Sequence, residues 1–230
     1  MTGGGRGTAA GGGTGRLERL LGGQRVIAAV RTAREFQRAL SAPPRLIFLL
    51  ESRLVQLPGL VREAHGAGKA LFVHGDRVEG LSPDEAGVDF LATSVVPDGL
   101  ISTHPAVIAA ARARRLQAVQ RVFALDSAGL ASARRLAAQG EADAVEILPG
   151  LLPRVVARFA REMGRPVITG GLLESREDVE AALAAGARAV SASSEAIWQL
   201  ADEMEKERFG HREESAVEGR IEGLTTSSDS

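Results

Sequence analysis

The sequence predicts an α/β fold, a TIM-like (β/α)8 barrel in a single domain with disordered termini, and three observations predict it. Eight short apolar runs recur along the chain, each followed by an alanine-rich stretch of helical period, at a spacing of about 20–25 residues. The runs are nearly continuous in apolar side chains, as parallel strands are when helices cover both faces of their sheet. A series of eight units favours closure into a barrel over an open sheet.

The elements follow in chain order. The opening stretch MTGGGRGTAAGGGTG has little apolar surface to bury and is rich in the residue that loses most backbone entropy on ordering, so 1–24 is read as a disordered leader. The barrel domain takes 25–204. Its apolar runs are VIAAV (26–30), RLIFLL (45–50), ALFVH (70–74), DGLIS (98–102), AVQRVF (118–123), AVEIL (144–148), PVIT (166–169) and ARAVSAS (187–193). Amphipathic stretches at 32–40, 54–67, 83–92, 105–114, 127–139, 151–163, 175–185 and 194–206 are the predicted helices. Ser82-Pro83-Asp84-Glu85 and Ser175-Arg176-Glu177-Asp178 carry N-cap chemistry, a hydroxyl ahead of first-turn carboxylates. Gly68, Gly140, Gly164 and Gly186 stand where helices should stop. Residues 205–230 form a polar tail that runs out in small side chains.

Composition excludes more than it assigns. The chain has 230 residues, 44% hydrophobic and 25% charged, the balance of a water-soluble globule. There is no cysteine, so disulfides, thiolate metal sites and cysteine nucleophiles are excluded. No apolar run approaches the roughly 20 residues needed to span a bilayer, and the N-terminus lacks a signal-like hydrophobic core. We expect a cytoplasmic protein with no membrane contact; a homo-oligomer is compatible with all of this. The formal net charge is −1, so any nucleic-acid contact has to come from a local basic face.

In a (β/α)8 barrel, function gathers at the carboxyl ends of the strands. Those ends are Arg31, Glu51, His74-Gly75-Asp76, Ser102-Thr103-His104, Gln120-Arg121, Glu146 with Pro149-Gly150, Thr169-Gly170-Gly171, and Ser191-Ala192-Ser193-Ser194. The last two carry the sharpest signal, since loops after strands seven and eight commonly build a phosphate site. Gly170 and Gly171 let the backbone approach an anion; Ser191 and Ser193 offer hydroxyls, and the helix opening near Ser194 points free N–H groups at the same place. The alternative is an ordinary turn followed by an ordinary N-cap. His74, Asp76, Arg121 and Glu146 form a second set, readable as acid/base machinery or as a polar network bracing the mouth. His74, Asp76 and His104 lack the helical spacing of a zinc motif, and no metal is expected.

Arginines cluster outside the mouth at Arg112, Arg114 and Arg115, at Arg134 and Arg135, and at Arg154, Arg158, Arg161 and Arg165. Most such residues are solvated helix surface. With 3% aromatic residues and no tyrosine there is no evident stacking platform, and RNA binding does not follow from this pattern.

Taken together, the strand ends resemble the glycerol-3-phosphate-responsive antiterminator family, regulators of bacterial glycerol uptake operons. The resemblance covers about 26–198. It rests on His74-Gly75-Asp76 with Glu79-Gly80-Leu81, Asp98-Gly99-Leu100-Ile101-Ser102-Thr103, Gln120-Arg121-Val122-Phe123-Ala124-Leu125-Asp126-Ser127, Glu146-Ile147-Leu148-Pro149-Gly150, Thr169-Gly170-Gly171-Leu172 and Ala189-Val190-Ser191-Ala192-Ser193. QR-x-F-x-LDS followed by E-x-LPG is the specific part.

The resemblance implies a barrel without catalysis or cofactor that senses glycerol 3-phosphate and, when liganded, binds leader mRNA so that a terminator does not form. It implies phosphate contacts at Gly170, Gly171, Ser191 and Ser193, and a glycerol pocket walled by His74, Asp76, Ser102, His104, Arg121 and Glu146. RNA would fall to basic residues such as Arg112, Arg114, Arg115, Arg134 and Arg135. Two positions depart from the family pattern: His104, where a basic Arg or Lys usually follows Ser-Thr, and Arg77, where an aliphatic residue usually follows the aspartate. Two other classes of function remain open on the residues alone: a barrel enzyme acting on a small phosphoester, and a phosphate-ligand sensor whose output is a protein partner.

Overall fold

The computed structural model describes residues 12–21, 23–139 and 141–207. Eight parallel strands close into a barrel in sequential order: β1 Val26–Val30, β2 Leu46–Leu49, β3 Ala70–His74, β4 Gly99–Ser102, β5 Gln117–Phe123, β6 Ala144–Leu148, β7 Val167–Gly170 and β8 Ala189–Ala192, with β8 pairing back to β1. Every predicted apolar run is one of these strands. Their side chains are buried almost throughout because alternate residues face the barrel lumen and the surrounding helices, and neither side meets water.

The helices are α1 Gly12–Leu21, α2 Ala33–Ser41, α3 Leu57–Gly66, α4 Glu85–Phe90, α5 Pro105–Ala113, α6 Ser127–Gln139, α7 Pro153–Glu162 and α8 Arg176–Ala184, followed by a helix over 195–207. Ser175 caps α8 in a reciprocal box with Asp178, as its sequence suggested. At the other predicted start the cap is Asp84, two residues past Ser82, and its carboxylate accepts from Gly87 N–H at 2.8 Å. Gly68, Gly164 and Gly186 all take left-handed backbone at helix ends; Gly140 lies outside the described residues.

One departure concerns the leader. Residues 12–21, counted by composition within a disordered 1–24, form α1, and its Leu17 and Leu21 are fully buried against Ile27, Leu46, Phe48 and Phe72 of the lumen. Leu17, Leu20 and Leu21 have helical spacing, and burying that stripe under the amino-terminal end of the barrel outweighs the entropy cost of the neighbouring glycines. Glu18 makes a two-pronged ion pair with Arg188, just ahead of β8, which fixes the helix in place. Residues 1–11 and 208–230, most of the remaining predicted leader and most of the predicted tail, lie outside the described residues.

Candidate functional site at the carboxyl ends of the strands

Alternation along the strands decides what faces the lumen. Phe72, Val119, Ala144, Ile168 and Ala189 belong to the apolar filling of the barrel. Two residues further along the same strands come His74, Arg121, Glu146, Gly170 and Ser191. The lumen therefore changes from apolar to polar in one layer, at the carboxyl end.

That layer is bonded together. Arg121 Nε donates to Glu146 Oε2 at 2.7 Å, and Ser191 Oγ donates to Glu146 Oε1 at 2.6 Å. Glu146 is fully buried, and Arg121 and Ser191 are nearly so. Such a pair survives burial because both carboxylate oxygens are satisfied. Arg121 commits only its Nε, and its two terminal nitrogens have no partner among the described residues.

A second group lies across the mouth. Asp76 accepts from Ser102 Oγ, from Thr103 N–H at 2.6 Å and from Thr103 Oγ1 at 2.7 Å, and His104 Nδ1 stands 3.3 Å from it. Burial pushes the Asp76 carboxyl up, but the donors from Ser102 and Thr103 outweigh it and leave the group below its ordinary value. Ser102 points away from the lumen and also accepts from His104 N–H at 3.0 Å. It positions Asp76 and the loop that follows β4. His104, more than half exposed, covers Asp76, so the position that departs from the family pattern still places a ring nitrogen there.

His74 lies between the two groups. Burial first, then the Arg121 guanidinium, lowers its pKa to about 4, so the imidazole is neutral at physiological pH. Its Nδ1 is buried without a hydrogen bond, 4.0 Å from Asp76 Oδ2.

The predicted phosphate residues sit beside the Arg121 group. A side chain at Gly170 would meet Ser191 Oγ at 2.1 Å and the Ser191 carbonyl at 2.7 Å, so glycine here lets β7 and β8 approach. Gly171 and Leu172 both take left-handed backbone, at φ 76° and 63°. Ser193 is exposed just past β8. The Ser194 carbonyl accepts from Ile197 and Trp198 N–H at 3.1 and 3.2 Å, and Trp198 Nε1 donates to the Ala192 carbonyl at 2.6 Å, pinning the 195–207 helix to the end of β8. The first-turn N–H groups of that helix open beside Ser193.

The structure adds a feature that sequence reasoning missed. A cavity of about 730 Å³ opens at the ends of β1 to β3, lined among others by Arg31, Glu51, Arg53, Asp76, Arg77 and Glu79. It meets the predicted site only at Asp76. Arg77, the other departure from the family pattern, pairs with Glu51 at 2.8 Å, and Arg53 pairs with Glu79 at 3.1 Å where Ser52–Arg53 and Val78–Glu79 form a short parallel bridge. Arg31, Glu51 and Asp76 were legible as strand ends; the bridge is too short to carry a periodic signal.

The arginines suggested for RNA divide. Arg112 is held by buried Asp143, and Arg114 by Asp89 and by Glu85 at 3.1 Å. Arg115 takes left-handed backbone at the end of α5, and its carbonyl accepts from Arg16 at 2.9 Å. These three lie at the face opposite the mouth. Arg134 pairs with Glu162 at 2.7 Å, and Arg135 meets only Ser132 Oγ, at 3.0 Å. Among the described residues no group of His, Asp and Glu is arranged to hold a metal ion, and no helix is long and apolar enough to cross a membrane.

Fold and site together define a single (β/α)8 barrel with a buried, charged network at its carboxyl-terminal mouth. The chain belongs to the glycerol-3-phosphate responsive antiterminator family, whose model matches residues 26–198. It is similar to a glycerol uptake operon antiterminator regulatory protein from Listeria monocytogenes str. 4b F2365, with 35% identity and a TM-score of 0.74 over 76% of this chain and 95% of that one. A glycerol uptake operon antiterminator-related protein from Thermotoga maritima MSB8 is 30% identical with a TM-score of 0.68, over 76% and 98% of the two chains. The uncharacterized protein YgcP of Escherichia coli (strain K12) is 34% identical over 179 residues, 78% of this chain and 94% of its own. The match begins at β1, so α1 lies outside it.

Proposed function

We propose that this protein senses glycerol 3-phosphate in its carboxyl-terminal mouth and, when liganded, binds the leader mRNA of glycerol-metabolism operons as a cytoplasmic antiterminator. The observation that carries this is the family match across 26–198, which includes every strand end of the mouth. The phosphate is assigned to Gly170, Gly171, Ser193 and the first turn of the 195–207 helix, with Ser191 held beneath by Glu146. The glycerol end is assigned to His74, Asp76, His104, Arg121 and Glu146, with Ser102 acting through Asp76. Neutral His74 and the terminal nitrogens of Arg121 supply the hydrogen-bonding groups still available there.

The bonding favours an effector over a substrate. Glu146 and Asp76 each have both oxygens held by donors of this chain, the arrangement of a fixed binding network rather than of a carboxylate presented to a substrate. For the ligand to swing the protein nearly completely between states, it has to prefer the RNA-competent one by about 10⁴-fold. Filter retention of a labelled glycerol-operon leader transcript tests the proposal: retention that depends on glycerol 3-phosphate is expected, and no retention with or without it contradicts the reading.

A further inference from the structure

The barrel's outer surface is electrically divided. α6 and α7 are neighbours, because β5, β6 and β7 pair in that order, and they carry Arg134, Arg135, Arg154, Arg158 and Arg161 against a single carboxylate, Glu162. The next two helices, α8 and 195–207, carry eight carboxylates against Arg176 and Lys206. A formal net charge of −1 conceals this separation.

The basic face is available. Glu162 is shared, accepting from Arg134 Nε at 2.7 Å and Arg158 Nε at 3.1 Å, so it bridges the two helices and neutralises at most one of the five charges. Arg154 and Arg161 are exposed and have no carboxylate partner among the described residues. Arg135 is exposed with only a serine contact.

An apolar rim borders the same sector at the mouth. Phe123 ends β5 with 47% of its surface exposed, and Leu125 follows at 76%. Leu151 and Leu152, also exposed, lie in the adjacent loop, which leads directly into α7. A row of arginines fits a polyanion, and an exposed phenyl ring flanked by leucines fits unpaired bases.

We propose that leader RNA lies along α6 and α7 as a single strand, its phosphates tracked by these arginines and a base stacked on Phe123. The proposal rests on the RNA-binding reading above. It moves the RNA from Arg112 and Arg114, whose guanidinium groups are held by carboxylates, and from Arg115, which lies with them at the opposite face, to the sector that adjoins the effector site. β5 carries both Arg121 and Phe123, two residues apart on one face, so a ligand at the mouth touches the strand that presents the RNA platform. The acidic α8 and 195–207 helices repel a misplaced strand.

The test uses the full chain, saturating glycerol 3-phosphate and a labelled glycerol-operon leader transcript over a salt series. Three variants are compared with wild type: Arg135→Glu/Arg154→Glu/Arg161→Glu, Phe123→Ala, and the control Arg19→Glu/Arg34→Glu/Arg62→Glu, which makes the same charge change elsewhere. Calorimetric affinity for glycerol 3-phosphate checks folding and sensing in each; Arg135→Gln/Arg161→Gln replaces the triple variant if that affinity is lost. The α6–α7 variant is expected to bind RNA at least about tenfold more weakly, with the log–log salt slope shallower by about 2. Phe123→Ala should lose about tenfold with its salt slope unchanged, and the control should match wild type. Wild-type RNA binding with an unimpaired α6–α7 variant, or an equal loss in the control, overturns this face while leaving the RNA reading intact. A wild type that binds glycerol 3-phosphate but no RNA overturns both, and an acidic protein would then be the partner for these helices.

Discussion

His74 couples the mouth to pH with a definite sign. Its pKa is about 4 in the folded protein against 6.5 for the free side chain, so the unfolded chain takes up the proton first as pH falls. The stability this contributes is complete above pH 6.5 and drains away as pH drops towards 4. Between pH 7.5 and 5 the loss is about 2 kcal/mol. Urea denaturation at the two pH values should show it in wild type and should show a smaller loss in His74→Asn; an identical pH dependence in both would mean that His74 is not buried neutral. Glu146 makes a separate claim. Glu146→Ala leaves Arg121 buried without its counter-charge, and a cost of about 3–5 kcal/mol is expected from the same denaturation measurement. A cost under about 1 kcal/mol would show that water reaches the pair.

At the scale of elements, the strands were legible because burial on both faces writes itself as unbroken apolar runs: VIAAV, ALFVH and AVEIL correspond residue for residue to β1, β3 and β6. α4 was legible only in part. Predicted over 83–92, it begins at Glu85 and passes after Phe90 into a wider turn, Leu91–Val95, that ends at Val96 in left-handed backbone. A valine is no stop signal, and nothing local announces this ending. α1 was misjudged because glycine content was weighed above the Leu17, Leu20 and Leu21 spacing, and the benefit of that stripe depends on a barrel end far along the chain. Leu21→Ala, which empties a fully buried position at that end, should cost about 2–5 kcal/mol by chemical denaturation. A cost near zero would mean that the lumen closes without α1.

Over the whole molecule, the residues of the mouth could be named from the sequence, but their bonding could not, because it depends on register between strands up to 45 residues apart, as between Glu146 and Ser191. The same holds for charge: the arginine clusters of α6 and α7 were legible one by one, but they become a single face only when the two helices are seen side by side. The proposed function requires this mouth to hold glycerol 3-phosphate through both of its ends. The most direct measurement is calorimetric titration of the full chain with glycerol 3-phosphate, glycerol and inorganic phosphate in parallel. Saturable one-site binding of glycerol 3-phosphate is expected, at least about a hundredfold tighter than either fragment, because each end of the ligand adds its own hydrogen bonds to the mouth. Glycerol 3-phosphate that binds no better than inorganic phosphate, or not at all, would contradict it.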